Sequence, residues 1–387
     1  MEISDIITHL GENREEYYNS VSPPIMQSSN FCFKTVDEMR QCLQKEFEHP
    51  FYSRGYNPTV GILRKKLAAL EHTEDSLVFA SGSAAIAAAV MNEVQQGDHV
   101  ICIKSPYSWT NYLLNTLLAK YGVTTTMIDG TKVENFEAAI QENTKLIFLE
   151  TPNSMTFELQ DLEAVSKLAK SKNITTICDN SYSTPLCQNP ADYGIDITVH
   201  SASKYLSGHS DLVAGVLCAS KKRVENIMAN EFMTLGGIIG PFEAWLILRG
   251  LRTLPIRLKT VLENSMKVLD FLEKHPKIEK VVFPFSEKNP QYELAKKQMK
   301  PCGGLMTIYL KTDDIKKIET FSNSLNYFLL ACSWGGYESL QFPIATLHDS
   351  KSYHKTPHPA NMIRLYIGLE DPHLLINDLK QALEKIK

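Results

Sequence analysis

Between about residues 75 and 220 the chain alternates short apolar, β-branched runs with longer amphipathic ones: SLVF, AAIAAAVMNEV, HVICI, NYLLNTLLAKY and TTTMI follow in turn. Short runs of this kind read as strands, and the longer ones carry the spacing of helices. The rhythm continues through KLIFLE, the helical DLEAVSKLAKSK, and then TTICD, DITVH and VAGVLCA. A β-α-β-α order predicts an α/β fold with a mostly parallel sheet and helices on both faces. From Pro241 to Lys274 the pattern is helical. Beyond it, strand-like IEKVVFP, LMTIYL and MIRLYIGL are separated by helical IKKIETFSNSL and PHLLINDLKQALEKI, which predicts a smaller C-terminal α/β domain. The start of the chain holds Pro23 and Pro24 and little sustained periodicity, so an extended arm is expected there. The expected division is an N-terminal arm over 1–55, a large domain over 56–250 and a C-terminal domain over 251–387.

A length of 387 residues exceeds what one hydrophobic core usually serves, in keeping with two domains. Forty basic against 44 acidic residues leave a formal charge of -4, which provides no global field for a nucleic-acid backbone or an anionic membrane. Small molecules are the expected partners. The eight cysteines are scattered, with no C-x-x-C spacing, and read as reduced thiols. The opening MEISDIITHLGENREEYY is acidic and lacks the apolar run of a signal peptide. The apolar stretch from Leu77 to Val90 is broken by Ser81, Gly82 and Ser83 and is too short to span a bilayer. A cytoplasmic location follows as the expectation.

In open parallel sheets ligands sit beyond the carboxyl ends of the strands. Four polar segments occupy such places: Ser81-Gly82-Ser83, Glu150 to Ser154, Asp179-Asn180, and Ser201-Ala202-Ser203-Lys204. Gly82 and Ser83 stand between a strand and a helix, where free N–H groups can hold a phosphate, although, taken alone, glycine at such a turn is more often ordinary turn chemistry. Asp179 ends a buried strand and needs a cationic partner, unless it caps a helix. Ser201, Ser203 and Lys204 place two hydroxyls on alternate residues directly before a lysine. A lysine that forms a Schiff base must lie near the cofactor phosphate, which small hydroxyls bind at close range; in isolation the same pattern is a solvated loop lysine. His348, His354 and His358 fall in a Ser/Lys/Pro-rich stretch without the helical context of a metal site, so no metal is expected.

The segment from Asp179 to Leu217, DNSYSTPLCQNPADYGIDITVHSASKYLSGHSDLVAGVL, resembles the signature of the Cys/Met-metabolism pyridoxal phosphate (PLP) enzymes, the family of cystathionine lyases, cystathionine γ-synthase and methionine γ-lyase. Further matches follow in the family's order: PPIMQSSNF (23–31), YSRGYNPT (52–59), FASGSAAI (79–86), PYSWTNYL (106–113), LETPNSMTFE (149–158), RGLRTLPIRL (249–258), CSWGGYESL (332–340) and MIRLYIGLED (362–371).

The resemblance implies PLP as cofactor, the fold type I of PLP-dependent transferases, and a sulfur amino acid as substrate. It implies catalytic roles for Lys204, Tyr107 and Asp179: Lys204 as the Schiff-base lysine and proton shuttle, Asp179 as the carboxylate on the ring nitrogen, Tyr107 as the aromatic residue stacked on the ring. Gly82, Ser83, Ser201 and Ser203 match the phosphate cradle. Tyr52 and Arg54 match phosphate ligands that reach in from a neighbouring subunit, which implies a homo-oligomer: a dimer with shared sites, assembled further into a tetramer. Arg364 matches the arginine that grips the substrate carboxylate, with Ser333 and Trp334 in the same pocket. Asn153 is carried as a substrate-pocket residue, one position early relative to an asparagine of other branches.

CSWGGYESL, IRLYIGLED and ETPNSMTFE are most similar to the bacterial cystathionine β-lyase branch, which implies β-elimination to homocysteine, pyruvate and ammonia. Glu338 keeps γ-chemistry open, because other branches also have an acidic residue there, while Trp109 stands where methionine γ-lyases typically have a cysteine. A PLP-fold protein that binds without turnover would have no use for the complete set of Lys204, Asp179, Tyr107 and Arg364.

Overall fold

The computed structural model describes residues 1–348 and 358–386. Its larger sheet has seven strands: β1 (Asp75–Phe79), β2 (His99–Ile103), β3 (Thr124–Ile128), β4 (Thr144–Glu150), β5 (Thr175–Asp179), β6 (Ile197–Ser201) and β7 (Gly215–Ala219), in the order β1-β7-β6-β5-β4-β2-β3. β3, β2, β4, β5 and β6 are parallel, and β7 runs antiparallel to both of its neighbours. β7 is therefore the single reversed strand, and the expected mostly parallel sheet is present. Every residue of β2 and β7 is buried, which requires helices on both faces.

Local chemistry starts these helices where the pattern placed them. Ser81 caps the helix Gly82–Glu93 by accepting the Ala84 N–H (3.1 Å), and Asp161 caps Leu162–Ser171 through Ala164 (3.0 Å). NYLLNTLLAKY departs from a regular helix. It winds as α-helix over Ser108–Tyr112, as a wider π turn over Leu113–Leu117 and as a 3-10 turn over Leu118–Tyr121, ending at Gly122 with φ +81°. The helix Pro58–Leu70 was not marked by the apolar pattern. Asn57 caps it, and Pro58 at its first position loses no bond by lacking an N–H.

The 34-residue helix Pro241–Lys274 passes without a break through residue 250, the expected boundary, and through Pro255. Near the proline, side chains serve a backbone acceptor: the Gly250 carbonyl accepts from Arg257 Nη2 (2.8 Å) and Thr253 Oγ1 (3.1 Å). A side chain at Gly250 would meet the Ser207 carbonyl oxygen at 2.4 Å, so glycine lets this helix lie against the chain just after Lys204.

The smaller sheet contains β8 (Ile278–Val282), β9 (Leu305–Leu310), β10 (Leu329–Leu330), β11 (Leu340–Pro343) and β12 (Met362–Tyr366), in the order β10-β11-β12-β9-β8. It is antiparallel apart from the β10–β11 pair. The arm at the start of the chain contains short helices at Ile3–Thr8 and Val36–Leu43. Ile6 and Ile7 are buried in the core, and buried Lys66 donates to their carbonyls (3.0 and 3.3 Å) while pairing with Glu12 (3.1 Å). Among the described residues no helix is long and apolar enough to cross a membrane.

Candidate active site

β4, β5 and β6 end side by side, at Glu150, Asp179 and Ser201. Beyond these ends lies a cavity of about 410 Å³, lined also by Leu340 and Arg364 of the smaller sheet. One wall is nearly bare backbone. A Cβ at Gly82 would stand 3.1 Å from the Ser201 Cα, and one at Gly215 would stand 2.1 Å from the Ser81 carbonyl oxygen. These glycines bring the ends of β1, β6 and β7 together and leave the amide-rich start of the helix Gly82–Glu93 facing the cavity. Ser83, Ser201 and Ser203 line the same wall. The Ser201 N–H donates to Ser181 Oγ (2.7 Å), and Ser203 Oγ accepts the Ala214 N–H (2.9 Å).

Asp179 is 8% exposed and accepts the Ser181 N–H (2.9 Å). Burial pushes its pKa up, while the Ser181 bonds and the nearby His200 and Lys204 pull it back. Behind it, His200 Nε2 is bonded to the fully buried Glu71 (2.5 Å). Lys204 Nζ donates to Ser333 Oγ (2.9 Å) and lies 5.8 Å from the centre of the Trp334 ring. Burial first, and the Arg364 charge second, lower the pKa of this amine. The loop that carries Ser333 rests directly on the lysine: Gly335 has φ +87°, and a Cβ there would meet the Tyr205 nitrogen at 2.8 Å.

Arg364 sits mid-strand in β12, paired with Phe342 and Thr307. Its Nη2 donates to the Cys332 carbonyl (2.7 Å) and its Nη1 to the Ser154 carbonyl (3.3 Å). Burial lowers its pKa to about 10. Tyr107, 42% exposed, flanks the cavity, and burial raises its pKa.

The chain thus gathers Gly82, Ser83, Tyr107, Asp179, Ser201, Ser203, Lys204, Ser333, Trp334 and Arg364 around one cavity. Asn153 does not line the cavity wall. It is fully buried, donating to the Ser105 carbonyl (2.8 Å) and accepting the Met155 and Thr156 N–H groups (2.9 and 3.0 Å), so it builds the turn after β4. Tyr52 and Arg54 also stand outside this cavity, exposed, with the guanidinium 5.6 Å from the Tyr52 ring centre. His354, of the three-histidine stretch, lies outside the described residues.

Two acidic residues that the sequence marked without a defined role, Glu150 and Glu338, also line the cavity. Glu150 accepts the N–H groups of Tyr107 (2.6 Å) and Ser154 (2.8 Å), and burial with Asp179 beside it raises its pKa to about 7. Its position at a strand end is the signal that pointed to Asp179. Glu338 accepts from Ser210 Oγ (2.6 Å), and its other oxygen is buried with no hydrogen-bond partner among the described residues.

The family model described as "Cys/Met metabolism PLP-dependent enzyme" matches residues 4–384. The chain belongs to this family. It is similar to an L-methionine gamma-lyase of Treponema denticola, 38% identical over 386 residues, with 98% of this chain and 96% of the relative covered. It is 35% identical over 383 residues to a cystathionine beta-lyase of Lactococcus lactis, with 98% of each covered. The crystal structure of metB from Corynebacterium glutamicum superposes with a TM-score of 0.92 at 32% identity, covering 100% of this chain and 99% of that one. As a member of the family the chain is a PLP-dependent enzyme, and its sheet is that of fold type I.

The residues present fit that cofactor. The glycine-floored wall, where an added Cβ would collide, suits a phosphate, and the buried carboxylate of Asp179 suits a cationic ring nitrogen. The Lys204 amine, whose protonation is disfavoured by burial, is available as the anchor.

Proposed function

We propose that the chain is a carbon–sulfur lyase acting on a sulfur amino acid, and that its reaction is β-elimination from cystathionine, giving homocysteine and, after water hydrolyses the released aminoacrylate, pyruvate and ammonia. Bound PLP supplies an electron sink for the bond-breaking at Cα and Cβ. Gly82, Ser83, Ser201 and Ser203 would hold its phosphate, Asp179 its ring nitrogen, and Tyr107 its face. Arg364 receives the substrate carboxylate, for which a planar fork with both amino groups already oriented by carbonyls is well prepared. Lys204 Nζ would anchor the cofactor and serve as the amine that takes the Cα proton; its lowered pKa leaves more of it as the free amine near neutrality.

The observation that carries the reading is the bond from Lys204 Nζ to Ser333, within the CSWGGYESL loop that resembles the cystathionine β-lyase branch. A second reading is γ-elimination. The methionine gamma-lyase relatives favour it, and so does Glu338 in the cavity wall with one unsatisfied oxygen. Product analysis separates the two: pyruvate from cystathionine supports β-elimination, and 2-oxobutyrate overturns it.

Tyr52 and Arg54, exposed outside the cavity of their own chain, support sites shared between two subunits, each subunit lending this pair to the other's phosphate. Assembly of such dimers into a tetramer and a cytoplasmic location belong to the same proposal. Eight free thiols suit a reducing compartment.

A further inference from the structure

Glu150 closes β4 with its side chain in the cavity wall, and the motifs that mark the site assign it no role. Its two oxygens serve two different turns. Oε2 accepts the Tyr107 N–H (2.6 Å) from the turn after β2, and Oε1 accepts the Ser154 N–H (2.8 Å) from the turn after β4. Ser154 in its turn offers its carbonyl to Arg364 Nη1 (3.3 Å). One unbroken line of hydrogen bonds therefore runs Tyr107, Glu150, Ser154, Arg364. Tyr107 itself stands just before the helix Ser108–Tyr112 and makes no capping bond with its side chain, so its backbone is held here by the carboxylate.

We propose that Glu150 is a positioning residue, a strut whose two carboxylate oxygens fix the aromatic wall of the site relative to the arginine that receives the substrate. The proposal rests on the reading above for the roles of Tyr107 and Arg364. The location is otherwise a poor one for an acid: Glu150 is 4% exposed, and Asp179 stands opposite it in the register of β4 and β5. Burial and the like charge raise its pKa to about 7. An amide side chain would avoid both costs, but only the ionised carboxyl group, the form present above about pH 7, offers an acceptor oxygen free of hydrogen to each of two amide donors. Glutamine has the same reach with one oxygen, so its NH2 group would face one of the N–H groups. Aspartate keeps the charge but is a methylene short.

The test compares Glu150→Gln and Glu150→Asp with the wild type. Hydrogen exchange on the cofactor-free proteins reads the Tyr107 and Ser154 amides directly; in the Gln variant at least one of them is expected to exchange about tenfold faster or more, with β5 amides unchanged. In the reconstituted enzymes, both variants are expected to raise KM about five- to tenfold for every amino-acid substrate alike, through the Ser154–Arg364 contact, and to lower kcat. Recovery of wild-type KM by Asp would mean that charge alone matters, and would overturn the strut. Unchanged exchange at both amides in the Gln variant overturns it as well, and so does equal acceleration throughout the sheet, the mark of a general loss of stability. Local acceleration with unchanged KM upholds the strut and overturns instead the assignment of Arg364 to the substrate.

Discussion

The two sheets contribute to the site in different ways. The larger, parallel sheet is buried on both faces, so its strands present chemistry only where they end: Glu150, Asp179 and Ser201 are last residues of β4, β5 and β6. The smaller, antiparallel sheet presents Arg364 from the middle of β12, with a strand paired on either side. Charge follows the same division. Carboxyl groups crowd the parallel strand ends, where burial raises their pKa values, and the antiparallel sheet answers with a guanidinium held by carbonyls of Ser154 and Cys332. Residues at strand ends are fixed by the turn that follows them, whereas a mid-strand residue is fixed by the partners it reaches. Loss of Asp179 should therefore strike the reaction, loss of Arg364 should strike substrate affinity, and loss of Glu150, which touches both sides, should strike each to a smaller extent.

The largest effect is expected at Lys204. Lys204→Ala removes the anchor and the proton-transfer amine together, so turnover should fall below detection while circular dichroism stays native. The visible absorbance of the bound cofactor should disappear from its usual band, and its retention would remove Lys204 from the centre of the site. Asp179→Asn comes next. It preserves shape and deletes charge, and activity should fall by about two orders of magnitude or more, with weaker PLP binding measured by equilibrium dialysis. Near-normal activity would show that the acidic strand ends serve the fold and not the cofactor.

Arg364→Ala should sharpen the contrast from the other sheet. KM is expected to rise about a hundredfold for all amino-acid substrates, because the α-carboxylate is common to them, with a smaller change in kcat. A loss confined to one substrate would break the assignment. A smaller, recovered signal comes from mixing. Arg54→Ala and Lys204→Ala chains, unfolded and refolded together, should regain about one quarter of wild-type activity: half of the dimers are mixed, and half of their sites carry neither lesion. No recovery in a preparation shown to contain mixed dimers would place Arg54 in its own subunit's site.

The smallest effect concerns stability. Glu150 keeps its proton to about pH 7 in the folded chain, against an ordinary value of 4.5, so between those values the folded state binds a proton that the unfolded chain has released. Stability then falls as pH rises across that window, by up to about 1.4 kcal/mol per pH unit for this group. Urea unfolding of the cofactor-free protein should show this slope, and Glu150→Gln should lack it. An identical slope in both would clear Glu150 of the acidic strain at the strand ends.

Much of this molecule was legible in the order of its residues. Apolar period and length placed the strands of the parallel sheet, and strand ends followed by serine, glycine or aspartate marked most of the site before any contact was known. The short β10 and β11 gave no such signal, since two to four residues are too few to establish a period. The helix Pro58–Leu70 was missed for a different reason: buried Lys66, paired with Glu12, interrupts its apolar face.

What the sequence determined by itself was the inventory: a parallel α/β core, and Lys204, Asp179 and Arg364 as groups needed together. Tertiary structure decided which neighbours each of them has. Asn153 and Ser154 are adjacent in the chain, yet one is spent inside a turn while the other lends its carbonyl to Arg364, 210 positions away. Glu150 and Asp179 look alike as strand-end acids, and only the packed structure buries both and, through the register of β4 against β5, sets Asp179 beside Glu150, where burial first and that charge second make Glu150 resist ionisation. The reason is physical. Periodicity and turn chemistry act over a few residues, whereas desolvation and hydrogen-bond partnership depend on whichever distant segments the packed chain brings within a few ångströms.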